Sequence, residues 1–311
     1  MCHAPNYKRK IAKEGDQFKV VPADGVDILQ AAQNVQKATN EMCLRCHTSA
    51  GGAPNHKHGV TPTKDSDVHM AKGIECTACH TVKAHKIAGG ADVKAHDLPD
   101  VEVSCANCHT GAPHKASQQA LLNKHGNRIA CQTCHIPAIA RDSKMPTITE
   151  RDWTKPVLNA ANGFFGPTGS LYDPTNTVAN NVMPEYRWWN RMMLVPPEPV
   201  GSKNDPKAKI FPWKKTTYTV IGDAATDKVI FIKAGVYAVT GDVAAAAKKG
   251  AEDAKQNYSG QWKGLKETMF FSLNHQVAGK SEALKCMDCH GAKGRMDWKA
   301  LSYEGDPMKK K

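Results

Sequence analysis

Five times the chain repeats one arrangement of groups suited to holding a redox centre: two cysteines three positions apart, followed at once by a histidine. The copies are Cys43-Leu-Arg-Cys46-His47, Cys76-Thr-Ala-Cys79-His80, Cys105-Ala-Asn-Cys108-His109, Cys131-Gln-Thr-Cys134-His135 and Cys286-Met-Asp-Cys289-His290. C-x-x-C-H is the attachment signature of c-type haem, and chance placement of these residue types would give about 0.02 copies. The spacing has a physical reason. On one helical turn, positions i, i+3 and i+4 share a face. Two thiols can close thioethers to one porphyrin edge while the adjacent imidazole reaches the iron as its proximal ligand. Zinc is the main alternative for paired cysteines, but structural zinc gathers four ligands from two pairs and gives no reason for a histidine after every second cysteine. A redox dithiol needs one pair and no trailing histidine.

The chain opens Met1-Cys2-His3, the last residues of a further motif whose first cysteine would lie upstream. The expectation is five complete haem c sites and part of a sixth, with Cys2 and His3 belonging to the last. Ten of the eleven cysteines lie in complete motifs, which leaves no disulfide framework. Haem c is attached outside the cytoplasm, so a periplasmic or extracellular prokaryotic protein is expected. A secretory leader is missing from the sequence, as it would be from a mature or truncated form. No apolar run approaches membrane-spanning length.

The opposite face of each iron decides the chemistry. Eight histidines lie outside the motifs: His56, His58, His69, His85, His96, His114, His125 and His275. All cluster around the motifs, and at least five are expected to be distal iron ligands, with one of His56 and His58 sufficing. Met70, Met145 and Met183 are read as packing residues. Enough histidine to close every iron favours electron transfer over catalysis, because a bis-histidine iron offers no vacant position.

The formal charge of +12 would ordinarily suggest nucleic acid or an anionic membrane. Five haems add about ten propionates, so Lys and Arg are read as propionate partners and solvated surface, with no nucleic-acid partner. Hydrophobic content of 41% and mean hydropathy of −0.51 are modest for 311 residues. The expected core is therefore protein packed on porphyrin. The first four motifs start 33, 29 and 26 residues apart, too close for independent cores.

These features predict a mainly α protein with much irregular structure, wrapped around a closely packed haem chain. Residues 1–141 form a haem-rich region, 142–280 a haem-free insert and 281–311 a C-terminal haem segment, packed as one unit. Tyr7 to Pro22 reads as irregular, and Val26 to Met42 as a helix leading into the first motif. A short helix is expected over Lys115 to Asn123. The insert holds five of the six Trp. Within it, Thr216–Ile221 and Lys228–Val239 read as a hairpin, Asp242 to Gln256 as a helix with Asp242 as N-cap, and Leu265 to Val277 as another helix.

Several stretches together resemble the octahaem tetrathionate reductase family of multihaem cytochromes c, itself related to the hydroxylamine-oxidoreductase and nitrite-reductase haem arrays. They are Leu122-Asn-Lys-His125-Gly-Asn-Arg-Ile-Ala-Cys131-Gln-Thr-Cys-His135-Ile-Pro137, Pro184-Glu-Tyr-Arg-Trp-Trp-Asn190, Lys209-Ile-Phe-Pro-Trp213, and His275 leading to Ala283-Leu-Lys-Cys286-Met-Asp-Cys-His290. The resemblance implies distal ligation by His125 and His275. It departs from the family in having five motifs and a remnant rather than eight, and the lysine ligand of the family's catalytic haem has no counterpart that can be placed. No catalytic residue is assigned. Two functions from different classes follow: an electron carrier or conduit, including a filament subunit (a nanowire) passing electrons to redox partners or to copies of itself, or a terminal reductase of a small oxidised sulfur or nitrogen compound such as tetrathionate, nitrite or hydroxylamine. The aromatic run Tyr186, Trp188 and Trp189 either lines a haem edge or packs the insert.

Overall fold

The computed structural model describes residues 3–14, 17–48, 56, 61–89, 103–115, 119–159 and 171–309. Cys2, His58 and His96 lie outside them. In chain order the strands are β1 (Arg9–Glu14), β2 (Gln17–Pro22), β3 (Val82–Lys83), β4 (Lys86–Ile87), β5 (Thr147–Asn159), β6 (Leu171–Ala179), β7 (Glu185–Trp189), β8 (Met192–Met193), β9 (Pro199–Val200), β10 (Lys209–Asp223) and β11 (Trp262–Ser272). The helices are α1 (Ile28–Gln33), α2 (Asn40–His47), α3 (Val68–Ala71), α4 (Cys76–Cys79), α5 (Ala106–His109), α6 (Gln119–His125), α7 (Cys131–His135), α8 (Ala234–Thr240), α9 (Val243–Asp253) and α10 (Cys286–Cys289).

The expectation of a mainly α protein is overturned, since 22% of the described residues are helical and 28% are strand. A motif needs only one helical turn to align its cysteines and histidine, so α4, α5, α7 and α10 stop there. The insert supplies long strands instead. Its β-branched and aromatic residues suit strands, and in Lys209-Ile-Phe-Pro-Trp213 four consecutive residues are buried, as in a strand covered on both faces. A sheet of order β11-β10-β5-β6 results, with β7 also paired to β10. Strands β10 and β5 run parallel with Thr217 opposite Glu150, and β7 runs antiparallel with Trp188 opposite Ile210.

Four local expectations are corrected. The segment after Tyr7 is an antiparallel hairpin, with Arg9 opposite Pro22 and Glu14 opposite Gln17. The helix before the first motif is two helices, because the Asn34 side chain bonds the Gln30 carbonyl at 2.8 Å and closes α1. Leu265 to Ser272 belongs to strand β11, where Gly264 weakens any helix and its bare Cα lets the Thr219 and Thr154 side chains approach closely. Of Lys228–Val239 only Val229 bridges to Gly222, and the rest turns into α8, whose Tyr237 is buried.

The chain divides into two compact units. One comprises Met1–Pro54, Ile148–Val178 and Thr216–Thr268, and the other Asn55–Thr147, Ala179–Lys215 and Met269–Lys311. The first unit buries Ile221, Ile230, Tyr237, Val243, Ala246, Ala247 and Ala251, with Trp153 and Trp262 packed against them. Helix α9 begins as expected, Asp242 accepting from the Ala245 amide at 2.9 Å. Its apolar face includes Gly250, where an added Cβ would stand 1.9 Å from the Phe231 carbonyl oxygen. Gly250→Ala is therefore expected to cost at least the ~1–3 kcal/mol of an overpacked core, read as a lower midpoint in urea. An unchanged midpoint would contradict this packing.

At the end of α9, Asp253 accepts from Lys233 at 2.7 Å and from Lys249 at 2.6 Å. Those two hydrogen bonds pull its carboxyl down to about 2. A depressed folded value stabilises above the unfolded value of about 3.9, and that stability disappears as pH falls through the folded one. Wild type and Asp253→Asn are thus expected to differ at neutral pH and to converge between about pH 4 and pH 2. A constant difference over that range in a pH series of melts would refute the assignment.

The second unit has three apolar clusters. Ile136, Ile139, Ala140 and Leu273 form one, and Ala130, Phe211, Trp213 and Phe270 another. The third joins Tyr186, Trp188, Ile210, Met296 and Leu301, with Cys289 packed on it. The C-terminal motif lies beside the fourth, since the Leu284 amide bonds the Cys134 carbonyl at 3.0 Å and Arg295 reaches the Pro137 carbonyl at 2.7 Å. Among the described residues no helix is long and apolar enough to cross a membrane.

Candidate haem sites

The motif cysteines lie on, or at the N-cap of, short helices. Cys79, Cys105, Cys108, Cys131 and Cys286 are exposed, while Cys43, Cys76, Cys134 and Cys289 are half-buried. Among the described residues no three His, Cys, Asp or Glu side chains converge as a metal-binding group.

Within the second unit, consecutive motifs are neighbours. The Cys79 thiol, pushed up chiefly by burial, also feels Cys108. Cys105 and Cys131 share a hydrogen bond, which raises the first and lowers the second. Burial pushes the Cys134 thiol up to about 11, with added repulsion from Cys131 and Cys286. It pushes the Cys289 thiol up to about 12, with Cys134 adding to the shift. Each of the second, third and fourth motifs thus has the next one in sequence as a neighbour.

The histidines of that unit come together across motifs. The His69 and His109 ring centres lie 6.1 Å apart, those of His80 and His275 6.1 Å, and those of His114 and His135 6.5 Å. An iron held between two imidazoles sets such a separation. A metal–nitrogen bond of about 2.0 Å and about 1.1 Å from nitrogen to ring centre, taken twice, give about 6.2 Å. At each of these three places the two histidines are spaced as residues that would hold a haem iron between them. Burial, then the neighbouring His114 and His109, disfavours a proton on His135 and keeps it in the neutral form that can ligate a metal.

Ring orientation is fixed by the other nitrogen. His80 Nδ1 lies 2.9 Å from the Ala88 carbonyl and His114 Nδ1 3.0 Å from Asn123 Oδ1. His69 Nδ1 lies 3.3 Å from Asp67, which also caps α3 by accepting from the His69 amide at 2.8 Å. A partner at Nδ1 leaves Nε2 as the donor to a metal. His3 and His125 are held alike, by the Gln36 and Leu121 carbonyls at 2.9 Å. In the first unit Arg45 ties α2 to the N-terminal segment, bonding the Pro5 carbonyl at 2.7 Å.

The other candidates are placed as follows. His56 is buried, its ring 6.0 Å from that of Phe271, and its carbonyl accepts from the buried Lys214 ammonium. His85 stands at the tip of the β3–β4 hairpin with φ of 61°. His125 ends α6, and His47 lies exposed at the end of α2. His290 differs from the other motif histidines described so far. Its Nδ1 meets Asp306 Oδ1 at 2.6 Å, and Trp298 stacks on its ring at 5.1 Å. Although burial opposes ionisation of Asp306, hydrogen bonds from the Gly291 amide, His290 and the Met308 amide hold its carboxyl down at about 2.

Sequence reasoning did not single out Asp306, Asn123 or Asp67. The only sequence signal for Asp67 is its place two residues before His69, as an acidic N-cap. Asp306 lies sixteen residues beyond His290 and carries no such signal.

Residues 175–293 match the family model described as "Cytochrome c bacterial", and residues 1–81 match that of "Cytochrome c554 and c-prime". The crystal structure of an octaheme cytochrome c from Shewanella oneidensis superposes with a TM-score of 0.76 at 31% identity, over 99% of this chain and 75% of that one. No curated protein matches in sequence.

Proposed function

The chain belongs to the multihaem c-type cytochromes, and from that premise we propose that it carries electrons along a row of mostly bis-histidine haems. Cys43 and Cys46, Cys76 and Cys79, Cys105 and Cys108, Cys131 and Cys134, and Cys286 and Cys289 each hold a porphyrin, with His47, His80, His109, His135 and His290 as proximal ligands. Cys2 and His3 belong to a sixth site. His69 closes the site of His109, His275 that of His80 and His114 that of His135. Haem supplies a reversible one-electron iron couple whose potential the ligands set. The polypeptide orders the sites, fixes the His69, His80, His114 and His290 imidazoles through Nδ1 partners and leaves no open position where two rings face each other.

The observation that carries this reading is the set of three ring pairs at trans-axial separation. A location in the periplasm or outside the cell follows from haem c attachment. The same surplus of histidine permits assembly into filaments, testable by sedimentation of the native particle.

The second reading is a terminal reductase. The likeness to the octaheme cytochrome c favours it. The spin state of the oxidised protein separates the two readings. Uniformly low-spin spectra that carbon monoxide leaves unchanged on reduction are the expected result. A high-spin ferric fraction that binds carbon monoxide or nitrite would favour the reductase.

A further inference from the structure

We infer that Asp306 is a positioning residue that sets the C-terminal haem site at a lower potential than a neutral Nδ1 partner would. The inference rests on the reading that Cys286, Cys289 and His290 hold a haem. Where His80 and His3 face neutral backbone carbonyls through Nδ1, His290 faces a carboxylate at 2.6 Å. That carboxylate is itself locked. Its Oδ2 accepts from the Gly291 amide at 2.6 Å, its Oδ1 accepts from the Met308 amide at 2.9 Å, and its side chain is 7% exposed.

Two further contacts narrow the ring's freedom. Trp298 lies nearly parallel to the His290 ring, 23° from coplanar, and is wedged edge-on against Tyr303 at 5.7 Å. Trp298 and Tyr303 pack on the cluster containing Trp188 and Leu301. The imidazole is thus held by a stacked indole on its face and a carboxylate on its edge.

A carboxylate at Nδ1 draws that proton towards itself and makes Nε2 a stronger electron donor. A stronger donor and a nearby negative charge both favour ferric over ferrous iron, which lowers the potential. The Nδ1 proton need not leave the imidazole for this to operate; the hydrogen bond and its geometry suffice.

The test is a spectroelectrochemical titration of the haem-loaded protein and its Asp306→Asn variant, with haem counted by pyridine haemochromogen. Asp306→Asn is expected to keep its full haem complement and to move one transition upward. The expected shift is at least tenfold in the one-electron equilibrium, about 59 mV, with the other transitions in place. Asp306→Glu is expected to return that transition at least halfway. Full haem with no transition moved, or with all moved together, overturns the inference. Should Asp306→Asn lose haem, Asp306→Ala takes its place. Loss from both overturns it too, because a tuning residue leaves attachment through Cys286 and Cys289 intact. Wild-type protein without haem would instead sink the reading on which the inference rests.

Discussion

In a His275→Ala variant, one haem equivalent is expected to turn high-spin and to bind carbon monoxide on reduction, while the others stay low-spin. His275 lies 6.1 Å, ring centre to ring centre, from His80, whose own orientation is fixed by the Ala88 carbonyl. Removing the imidazole leaves attachment through Cys76 and Cys79 untouched, so haem content should not change. Added imidazole should restore the low-spin spectrum by filling the vacated position. His275→Met should keep six-coordination and raise the potential of that one site, as thioether ligation does. If His275 were an ordinary surface residue, none of these readouts would move. Spectra identical to wild type would therefore remove it from the ligand set.

A larger effect is expected on deleting the fourth attachment site. The Cys131→Ala, Cys134→Ala double variant should lose one haem by intact mass and be destabilised by more than the ~5 kcal/mol of a large core truncation. Helix α7 is where the second unit converges. Thr133 Oγ1 donates to the Ile210 carbonyl at 2.8 Å, and the Ala278 and Leu284 amides bond the His135 and Cys134 carbonyls at 2.7 and 3.0 Å. Cys131 touches Cys105 of the motif before it, and Cys134 lies within electrostatic reach of Cys286 in the motif after it. The site is a shared wall for its neighbours. Loss of one haem with unchanged protease resistance would show that porphyrin does not support this core. An unchanged mass would show that none is attached there.

The chemistry was far more legible than the fold. A C-x-x-C-H motif is local and fits one helical turn, so the five motifs could be read from spacing, and the family resemblance from particular stretches such as Pro184–Asn190. Distal pairing could not. His69 precedes the second motif by seven residues yet faces the histidine of the third, and His275 leads into the fifth yet faces that of the second. Those matches depend on long-range contacts, such as the Val68 amide on the Val277 carbonyl at 2.8 Å, that no periodicity encodes. The segment leading to Val277 misled for a related reason. Its apolar residues suit a helix as well as a strand, and the neighbouring β10 decides the outcome. The N-cap at Asp242 was legible because capping is settled within three residues. Asp306 was not, because its role rests on the fold of the C-terminal turn around His290.

Anomalous scattering at the iron edge, from crystals of the haem-loaded protein, tests the central claim most directly. The account predicts an iron peak midway between His69 and His109, between His80 and His275, and between His114 and His135, each with a porphyrin joined to its motif cysteines. Iron absent from those midpoints, or bound with only one ring of a pair within bonding distance, would contradict it.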